Sequence, residues 1–318
     1  QVGCFEDSAG DPARGRDWIV DSNGDPSSND TFTNLESALS SNTTADGDTL
    51  ILRPGTYIHE DELVIDKSLS IQGDGTGEVV VVRSGQPNRT DKTKTSWFSP
   101  DQRDGLYSVR VTADNVSFKS LTLSGWENER DGFGWLLGIG ARNCFLENVN
   151  FPGLNIRSAV VIFAETSDLV VKDCLFSGGY YEAAIRGGTT NMTLENNIFE
   201  ERHWYAGPLH FDNSFPISGS IRYNYFSHSV GNTGDDSSFN KSGVGLDAIG
   251  IYTSKLADDL TINHNTFFWD SAGKTNKYGF RAQATGRRGT GVKAEACRKA
   301  VRKCERNTVR AQYCRTRR

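Results

Sequence analysis

The chain has 318 residues and a formal net charge of −5 at pH 7, and charged residues make up 24% of it. No apolar run approaches the roughly 20 residues that a helix needs to cross a membrane, so a membrane-spanning helix is excluded for this stretch. The length suits one elongated domain with a small appendage.

Residues 1–31 are rich in Gly, Asp, Ser and Asn, and this composition predicts an irregular N-terminal arm. The chain starts at Gln1 rather than Met, which favours a processed, secreted protein whose signal peptide has been removed. Asp21-Ser-Asn-Gly-Asp25 is similar to the beginning of a calcium loop, but Pro26 stands where such loops need glycine. No cofactor is therefore predicted, and calcium binding has no motif to support it.

A short helix is predicted directly after this arm. Thr33-Asn-Leu-Glu36 is a capping box, in which the first and last side chains satisfy free N–H groups of the first turn. Leu35, Ala38 and Leu39 give the helix an apolar stripe. We expect the helix to cover the open first coil of the solenoid described next, because an uncovered end exposes strand edges.

A nine-residue phrase recurs through the centre of the chain. Its copies begin at Asn115, Asn143, Asp168, Asn191, Ser218 and Asp259, which are 28, 25, 23, 27 and 41 residues apart. A period in the twenties is typical of a solenoid, in which each unit buries its apolar side chains against its neighbours. Positions 2 and 4 are apolar and position 3 mostly is not, which predicts a half-buried strand.

Two further strands complete each predicted coil. Asn or Asp near position 6 predicts a tight turn, because these residues tolerate left-handed backbone angles. The aromatic residue at position 9 begins the second strand and is predicted to stack in an internal ladder of Phe151, Phe176, Phe199, Phe226 and Phe267. A third strand precedes each phrase, at Leu137–Ile139, Ile162–Ala164, Ile185–Gly187, Leu209–Phe211 and Ile249–Ile251.

Three strands and three turns per coil describe a right-handed parallel β-helix, and the chain resembles the pectate-lyase-like superfamily. Gly47-Asp-Thr-Leu-Ile-Leu-Arg-Pro-Gly-Thr-Tyr57 adds to the resemblance, with Leu63-Val-Ile65 and Leu69-Ser-Ile-Gln-Gly73 after it. The fold class is therefore predicted as all-β, with the solenoid over residues 32–280 and a small basic appendage over 281–318. The catalytic patterns of pectate lyases, polygalacturonases and pectin methylesterases are not found, so the resemblance implies the fold and not one activity.

The C-terminal segment differs sharply in charge from the rest. From residue 281 onward there are 13 Lys or Arg residues against two Glu, a balance of +11, which leaves −16 on residues 1–280. Cys297, Ala300, Val301 and Cys304 have helical spacing, which predicts a short amphipathic helix over the last coil. A basic run alone would indicate nucleic acid, but a secreted setting favours an anionic glycan or another subunit, and no nucleic acid is predicted.

Sequons and cysteines agree with a secreted glycoprotein. Six Asn-x-Ser/Thr sequons occur, at Asn29, Asn42, Asn88, Asn115, Asn191 and Asn240. The cysteines near the two ends are candidates for two disulfides, and they are Cys4, Cys297, Cys304 and Cys314. Cys144 and Cys174 fall at inward positions, where free thiols act as small hydrophobes. The histidines share no metal-ligand spacing, so no metal site is predicted.

The candidate site comes from alignment of the third strands of successive coils. One outward column reads Arg110, Gly138, Phe163, Arg186, His210 and Gly250, and the next reads Thr112, Gly140, Glu165, Gly188, Asp212 and Tyr252. Because adjacent coils are about 4.8 Å apart, Arg186, His210 and Asp212 are predicted to project together beside Glu165 and Tyr252. A nearby loop adds His203, Trp204 and Tyr205 as sugar-binding residues.

Two reactions are compatible with this group. In a polysaccharide lyase, His210 or Tyr252 would remove the proton next to a uronate carboxylate that Arg186 neutralises. In a hydrolase, Asp212 and Glu165 would be acid and base, although two coils separate them by about 10 Å, beyond the roughly 6.5–9.5 Å of inverting pairs. The alternative is an ordinary soluble surface, whose ion pairs contribute at most about 1 kcal/mol.

Three functions follow from the sequence. The acidic body and basic end favour a structural or assembly subunit of an extracellular filament or matrix, whose partner is a second copy or another subunit. The second is a lyase or glycoside hydrolase that acts on an acidic polysaccharide. The third is a glycan-binding adhesin without catalysis.

Overall fold

The computed structural model describes residues 15–24, 31–85, 107–126, 134–163, 166–203, 208–212, 217–228, 247–252, 256–269 and 278–282. Within these ranges the chain forms one short helix and 22 strands that belong to one sheet. Every strand pairing that the structure describes is parallel.

The strands stack in three rows, one for each side of the coil. The first row contains β1 (Asp17–Val20), β2 (Thr31–Phe32), β3 (Thr49–Leu52), β6 (Ser70–Gly73), β9 (Ser117–Trp126), β11 (Phe145–Ile162), β12 (Val170–Lys172), β14 (Met192–Glu195), β17 (Ile217–Arg222) and β20 (Leu256–Asn263). The second row contains β4 (Gly55–His59), β7 (Val79–Arg83), later parts of β9 and β11, β13 (Leu175–Arg186), β15 (Ile198–His203), β18 (Tyr225–His228) and β21 (Thr266–Trp269).

The third row contains β5 (Leu63–Ile65), β8 (Tyr107–Val111), β10 (Trp135–Ile139), the ends of β11 and β13, β16 (Leu209–Asp212), β19 (Asp247–Tyr252) and β22 (Tyr278–Ala282). Strands β9, β11 and β13 run around corners of the coil and therefore belong to more than one row. Three rows of parallel strands confirm the predicted parallel β-helix.

The core is a set of side-chain ladders along the axis of the solenoid. Phe151, Phe176, Phe199 and Phe226 are buried, and neighbouring rings stack with centroids 4.7–4.8 Å apart and planes within 8° of parallel. Phe267 is the backbone partner of Phe226 in the next coil. The predicted phenylalanine ladder is thus confirmed over these four residues, and each ring covers the ring of the preceding coil.

The corners of the coil are turns with left-handed backbone angles. At position 6 of the phrase, φ lies between 53° and 59° at Ser120, Asn148, Asp173, Asn196, Tyr223 and His264. At position 1, it lies between 55° and 61° at Asn115, Asn143, Asp168 and Asn191. Asn and Asp adopt this region more readily than other non-glycine residues, so the predicted role of these residues in turns is confirmed.

A second column of asparagines lies inside the solenoid, at position 7. Asn197, Asn224 and Asn265 are buried, and each side chain hydrogen-bonds to the neighbouring coils. In the preceding coils the same position is held by Leu121, Val149 and Cys174. This column was not predicted from the sequence. The asparagine amides satisfy one another and backbone carbonyls of the neighbouring coils, as buried polar groups require.

The N-terminal segment differs from the prediction in two respects. Strand β1 lies within the predicted irregular arm, because Trp18 and Val20 alternate inward and are buried in the core. Helix α1 (Leu35–Ser40) has Asn34 as its N-cap, with Asn34 Oδ1 accepting from the Ser37 N–H at 2.7 Å. The predicted capping box at Thr33 is therefore wrong by one residue. Leu35 and Leu39 are buried as predicted, whereas the capping of the first coil by α1 stays a prediction.

Candidate functional site

The outward residues of the third row form a column along the solenoid. In register the column contains Val64, Arg110, Gly138, Val161, Arg186, His210, Gly250 and Arg281. The predicted column placed Phe163 where the structure has Val161. The prediction began the third strand of this coil at Ile162, whereas the structure pairs Val160 with Leu137 and Ile185. Residues 159–163 are all apolar, so the sequence shows no alternation there that would fix which residues point outward.

Arg186 and His210 are backbone partners on adjacent strands, β13 and β16. Their side chains are half-buried, and the residues before them, Ile185 and Leu209, are fully buried on the inner side. The Gly187 N–H donates to the His210 carbonyl at 3.0 Å, which is the hydrogen bond between the two strands that follows this pair. The structure therefore brings these two predicted residues together on one outward face, because alternate residues of a strand point to opposite sides.

The remaining predicted residues stand in several places. Asp212 and Tyr252 are backbone partners two residues further along β16 and β19, and only their backbone is described. His203 is the last residue of β15 and pairs with Tyr180 in the second row, so it belongs to a different side of the coil. The other three, Glu165, Trp204 and Tyr205, lie outside the described residues.

The N-terminal part of the same face is filled by aromatic side chains. Tyr107, Trp135, Val161 and Phe163 form a separate buried cluster. Tyr107 stacks on Trp135 with centroids 5.3 Å apart and meets Phe163 edge to face at 5.7 Å. A Cβ atom at Gly138 would lie 3.0 Å from the Tyr107 ring. After Arg110, the next polar residue of the column is therefore Arg186.

His59 and Ser108 form a buried polar pair next to Tyr107, and this pair was not predicted from the sequence. His59 Nδ1–H donates to the Asp61 carbonyl at 2.7 Å, and its Nε2 accepts from Ser108 Oγ at 3.2 Å. Burial, with the nearby Arg83 cation, lowers the pKa of His59 to about 4, although the bond to Asp61 opposes this shift. His59 and Ser108 are each only 2% exposed. The pair therefore stabilises the corner between β4 and β5 rather than forming a surface site.

Arg110, at the start of the column, has an acidic partner that the alignment did not reveal. Arg110 Nε donates to Glu62 Oε1, and the two side chains are 18% and 8% exposed. Glu62 directly precedes β5, the strand that pairs with β8, so the register of these strands brings the two charges together. The Arg110 guanidinium is consequently bound within the protein.

The cysteines of the described coils are free thiols, as predicted. Cys144 and Cys174 are buried and form no disulfide, and burial raises their pKa to about 11 and about 12 respectively. The candidate disulfide cysteines lie outside the described residues, and these are Cys4, Cys297, Cys304 and Cys314. Among the residues that the structure describes, no group of three His, Cys, Asp or Glu side chains could hold a metal ion.

The described sequons all lie in exposed turns. Asn42 follows α1, and Asn115 and Asn191 occupy left-handed corners of the coil. The other three sequons lie outside the described residues, at Asn29, Asn88 and Asn240. No helix in the described part of the chain has the length and apolar character of a membrane span.

Comparisons with known proteins agree with this architecture. Residues 20–209 match the family described as Rhamnogalacturonase A/epimerase, pectate lyase-like. The crystal structure of the pectin methylesterase from Aspergillus niger aligns with 85% of this chain and 86% of its own, at 14% identity and a TM-score of 0.50. A rhamnogalacturonan lyase aligns with 85% of this chain and 66% of its own, at 14% identity and a TM-score of 0.44.

One curated relative matches part of the sequence. A cell surface glycoprotein of Methanothermus fervidus is 28% identical over 104 residues, which is 30% of this chain. The match spans only 17% of the length of that glycoprotein. It therefore relates a segment of each protein rather than their whole chains.

Proposed function

Because the chain belongs to the Rhamnogalacturonase A/epimerase, pectate lyase-like family, we propose that it is an extracellular protein that binds an acidic polysaccharide. The binding surface is the polar part of the third-row column, which begins at Arg186 and His210. The observation that carries the proposal is the pairing of these two residues on adjacent strands of one outward face.

Charge supports an acidic ligand at this column. Residues 1–280 carry −16, so a polyanion is repelled by most of the body and needs a local concentration of cations. Arg281 occupies the register position one coil beyond Gly250, in the same column as Arg186 and His210. Arginines at these register positions suit a linear anionic polymer that lies along the axis, because guanidinium groups bind carboxylates through two parallel hydrogen bonds.

The chemistry that the column would perform follows from its residue types. With a uronate carboxylate on Arg186, His210 or Tyr252 is placed to remove the adjacent proton, which is the lyase reaction. Asp212 would instead act as the acid or base of a hydrolase, with Glu165 as its partner. The loop residues His203, Trp204 and Tyr205 would add aromatic contacts to the sugar.

The proposal is tested by native electrophoresis in gels that contain polygalacturonate. We expect the polymer to retard the wild type at low salt, and Arg186→Gln together with His210→Gln to weaken binding roughly tenfold, the value of one charge-assisted hydrogen bond. Arg222→Gln is the matched control, since Arg222 is an exposed arginine of the first row. Equal retardation of the double variant and the wild type would contradict the proposal.

Incubation of the protein with polygalacturonate distinguishes a lyase, a hydrolase and a binding protein without catalysis. Unsaturated ends identify a lyase, new reducing ends without unsaturation identify a hydrolase, and neither product identifies a binding protein. In the first two cases, His210→Gln and Asp212→Asn respectively should remove the product while thermal unfolding stays close to that of the wild type.

A structural role is the second candidate, and the similarity to the cell surface glycoprotein of Methanothermus fervidus favours it. The acidic body and the basic segment 281–318 would then join one subunit to the next. Sedimentation at low salt should show oligomers that dissociate when residues 283–318 are removed. A monomer at every salt concentration would exclude this role.

A further inference from the structure

Two aromatic residues replace the usual turn residues at one corner of the solenoid. At position 6 of the phrase, the earlier coils carry Ser120, Asn148, Asp173 and Asn196, whereas the next two carry Tyr223 and His264. Tyr223 and His264 nevertheless keep the left-handed backbone, with φ of 59° and 53°. Histidine adopts this region more readily than most residues, whereas tyrosine is strained there, and strain of this kind persists where a function requires the side chain.

The two rings are exposed and held in place. Their centroids are 5.1 Å apart and their planes differ by 23°, so the rings stack across adjacent coils. Tyr223 is 52% exposed. The Arg222 guanidinium lies 5.9 Å from the centre of the Tyr223 ring and also donates to Glu195 Oε2 at 2.9 Å. Contacts on Tyr223 from His264 and Arg222 reduce the freedom that the ring would lose on binding a ligand.

The surface beside these rings is apolar with a polar margin. Ile198 is 41% exposed and lies two residues beyond Asn196, the residue that precedes Tyr223 in the turn column. Ile198 pairs with Tyr225, and Tyr225 with the exposed Thr266, in the second row. We call Ile198, Tyr223 and His264 the aromatic corner. Two of the three exposed large hydrophobic side chains in the described part of the chain, Ile198 and Tyr223, belong to it.

The ion pair beside the aromatic corner indicates whether the corner suits an anionic or a neutral ligand. Arg222 is bound to Glu195, so the corner offers ring surface rather than a free cation. Thr266 adds an exposed hydroxyl group, and Asn196 adds its side-chain carbonyl while its Nδ2 donates to Asp173 Oδ1. Sugars combine apolar C–H faces with hydroxyl groups, and an amphipathic ring surface with polar neighbours matches both features.

We propose that the aromatic corner is a second carbohydrate-binding site, which takes a pyranose ring of a non-ionic glycan. The corner joins the first and second rows of strands, whereas Arg186 and His210 stand in the third row. The site is therefore separate from the acidic-polysaccharide column and does not depend on it. Its binding rests on ring contact and not on charge, so salt screens it little.

Native electrophoresis in gels with neutral polysaccharides (galactan, glucomannan and xyloglucan) tests the proposal on the full chain. We expect at least one of these polymers to retard the wild type equally at low salt and at 0.5 M NaCl. Tyr223→Asn should weaken that retardation roughly fivefold, about the contribution of one aromatic contact. His264→Asn should weaken it to a similar extent, and Tyr223→Phe should retain it.

Tyr223→Asn also separates binding from folding. Asparagine tolerates the left-handed angle at this position, so the melting temperature of the Tyr223→Asn variant should equal or exceed that of the wild type. Ile58→Ala is the matched control, because Ile58 is 54% exposed on β4, and it should bind like the wild type. The proposal is overturned if none of the neutral polymers retards the wild type, or if Tyr223→Asn binds as the wild type does.

Discussion

The Oδ1 atom of Asn224 accepts two hydrogen bonds from Asn197 in the preceding coil, one from the backbone N–H and one from the side-chain amide, each 2.9 Å long. Asn224 in turn donates to Leu194 O and to Asn265 Oδ1, both at 2.9 Å. One buried side chain therefore holds together three successive coils. The two acceptor sites and the two donors of its side chain are all used.

We expect Asn224→Leu to lower the free energy of unfolding by about 3 kcal/mol or more, because it leaves buried amide groups of the neighbouring coils without partners. Urea unfolding followed by circular dichroism measures the change. Cys174→Val is the matched control at position 7, since Val149 holds that position one coil earlier, and it should cost less than about 1.5 kcal/mol. Equal losses in the two variants would show that the hydrogen bonds contribute little.

His59 predicts a loss of stability in weak acid. Its pKa is lowered to about 4 in the folded chain, whereas an unfolded histidine has a pKa near 6.5. Between these values the unfolded state binds more protons, so the stability present above pH 6.5 falls as the pH decreases towards 4, by about 3 kcal/mol at most. Urea unfolding at several pH values should show this slope.

His59→Gln should be less stable than the wild type at pH 7, because it loses packing in a buried site. Its stability should nevertheless fall less steeply than that of the wild type between pH 6.5 and pH 4. Other carboxylates titrate in both proteins, so the difference between the two curves isolates His59. Parallel curves would mean that His59 does not titrate as described.

Gly138 is predicted to be required by the aromatic cluster that covers it. A Cβ atom there would lie 3.0 Å from Tyr107 and 3.1 Å from Phe163, whose rings are buried. Gly138→Ala should therefore cost about 1–3 kcal/mol through overpacking and change the near-ultraviolet circular dichroism. At Gly140 the nearest atom is 3.3 Å away and the next is 3.7 Å away, so Gly140→Ala should cost less. The reverse order would contradict the described packing.

Asn42 is the described sequon best placed to carry a glycan. It is exposed in the turn after α1, whereas Asn191 Nδ2 already donates to Asp168 Oδ1 in the adjacent corner. On expression in a eukaryotic secretory host, Asn42 should be glycosylated and Asn191 should not. Glycopeptide mass spectrometry measures both sites. Asn42→Gln should remove one glycan from the intact mass and Asn191→Gln none, and the opposite pattern would disprove this assignment.

The sequence predicted the fold because each coil repeats the same local pattern. Alternating apolar residues, a left-handed Asn or Asp and a phenylalanine at position 9 all occur within nine residues of one another. The buried asparagine column escaped prediction for a physical reason. Asn196 and Asn197 are neighbours in sequence, yet one lies exposed in the turn and the other has its amide in the core, and residue type alone does not separate the two environments.

The candidate site was predicted less completely than the fold. Arg186 and His210 were placed together correctly, because the predicted strands were aligned on Ile185 and Leu209, which the structure also pairs. Phe163 was predicted in the place of Val161, because residues 159–163 are all apolar and show no alternation that would fix the register. Glu62 was missed as the partner of Arg110, because 48 residues separate them along the chain. Contacts between rows depend on register that only the folded chain determines.

Position 7 is apolar in the earlier coils and asparagine in the later ones, and this limits which coils can be duplicated to lengthen the solenoid. A copy of residues 191–217 inserted after residue 217 would present a further asparagine between Asn197 and Asn224 and would lengthen the column without a break. A copy of residues 143–167 in the same place would insert a valine there. The buried amide groups on both sides of that valine would then lack hydrogen-bond partners. Duplicated coils are thus not interchangeable, and grafts that extend this protein should be taken from its C-terminal half.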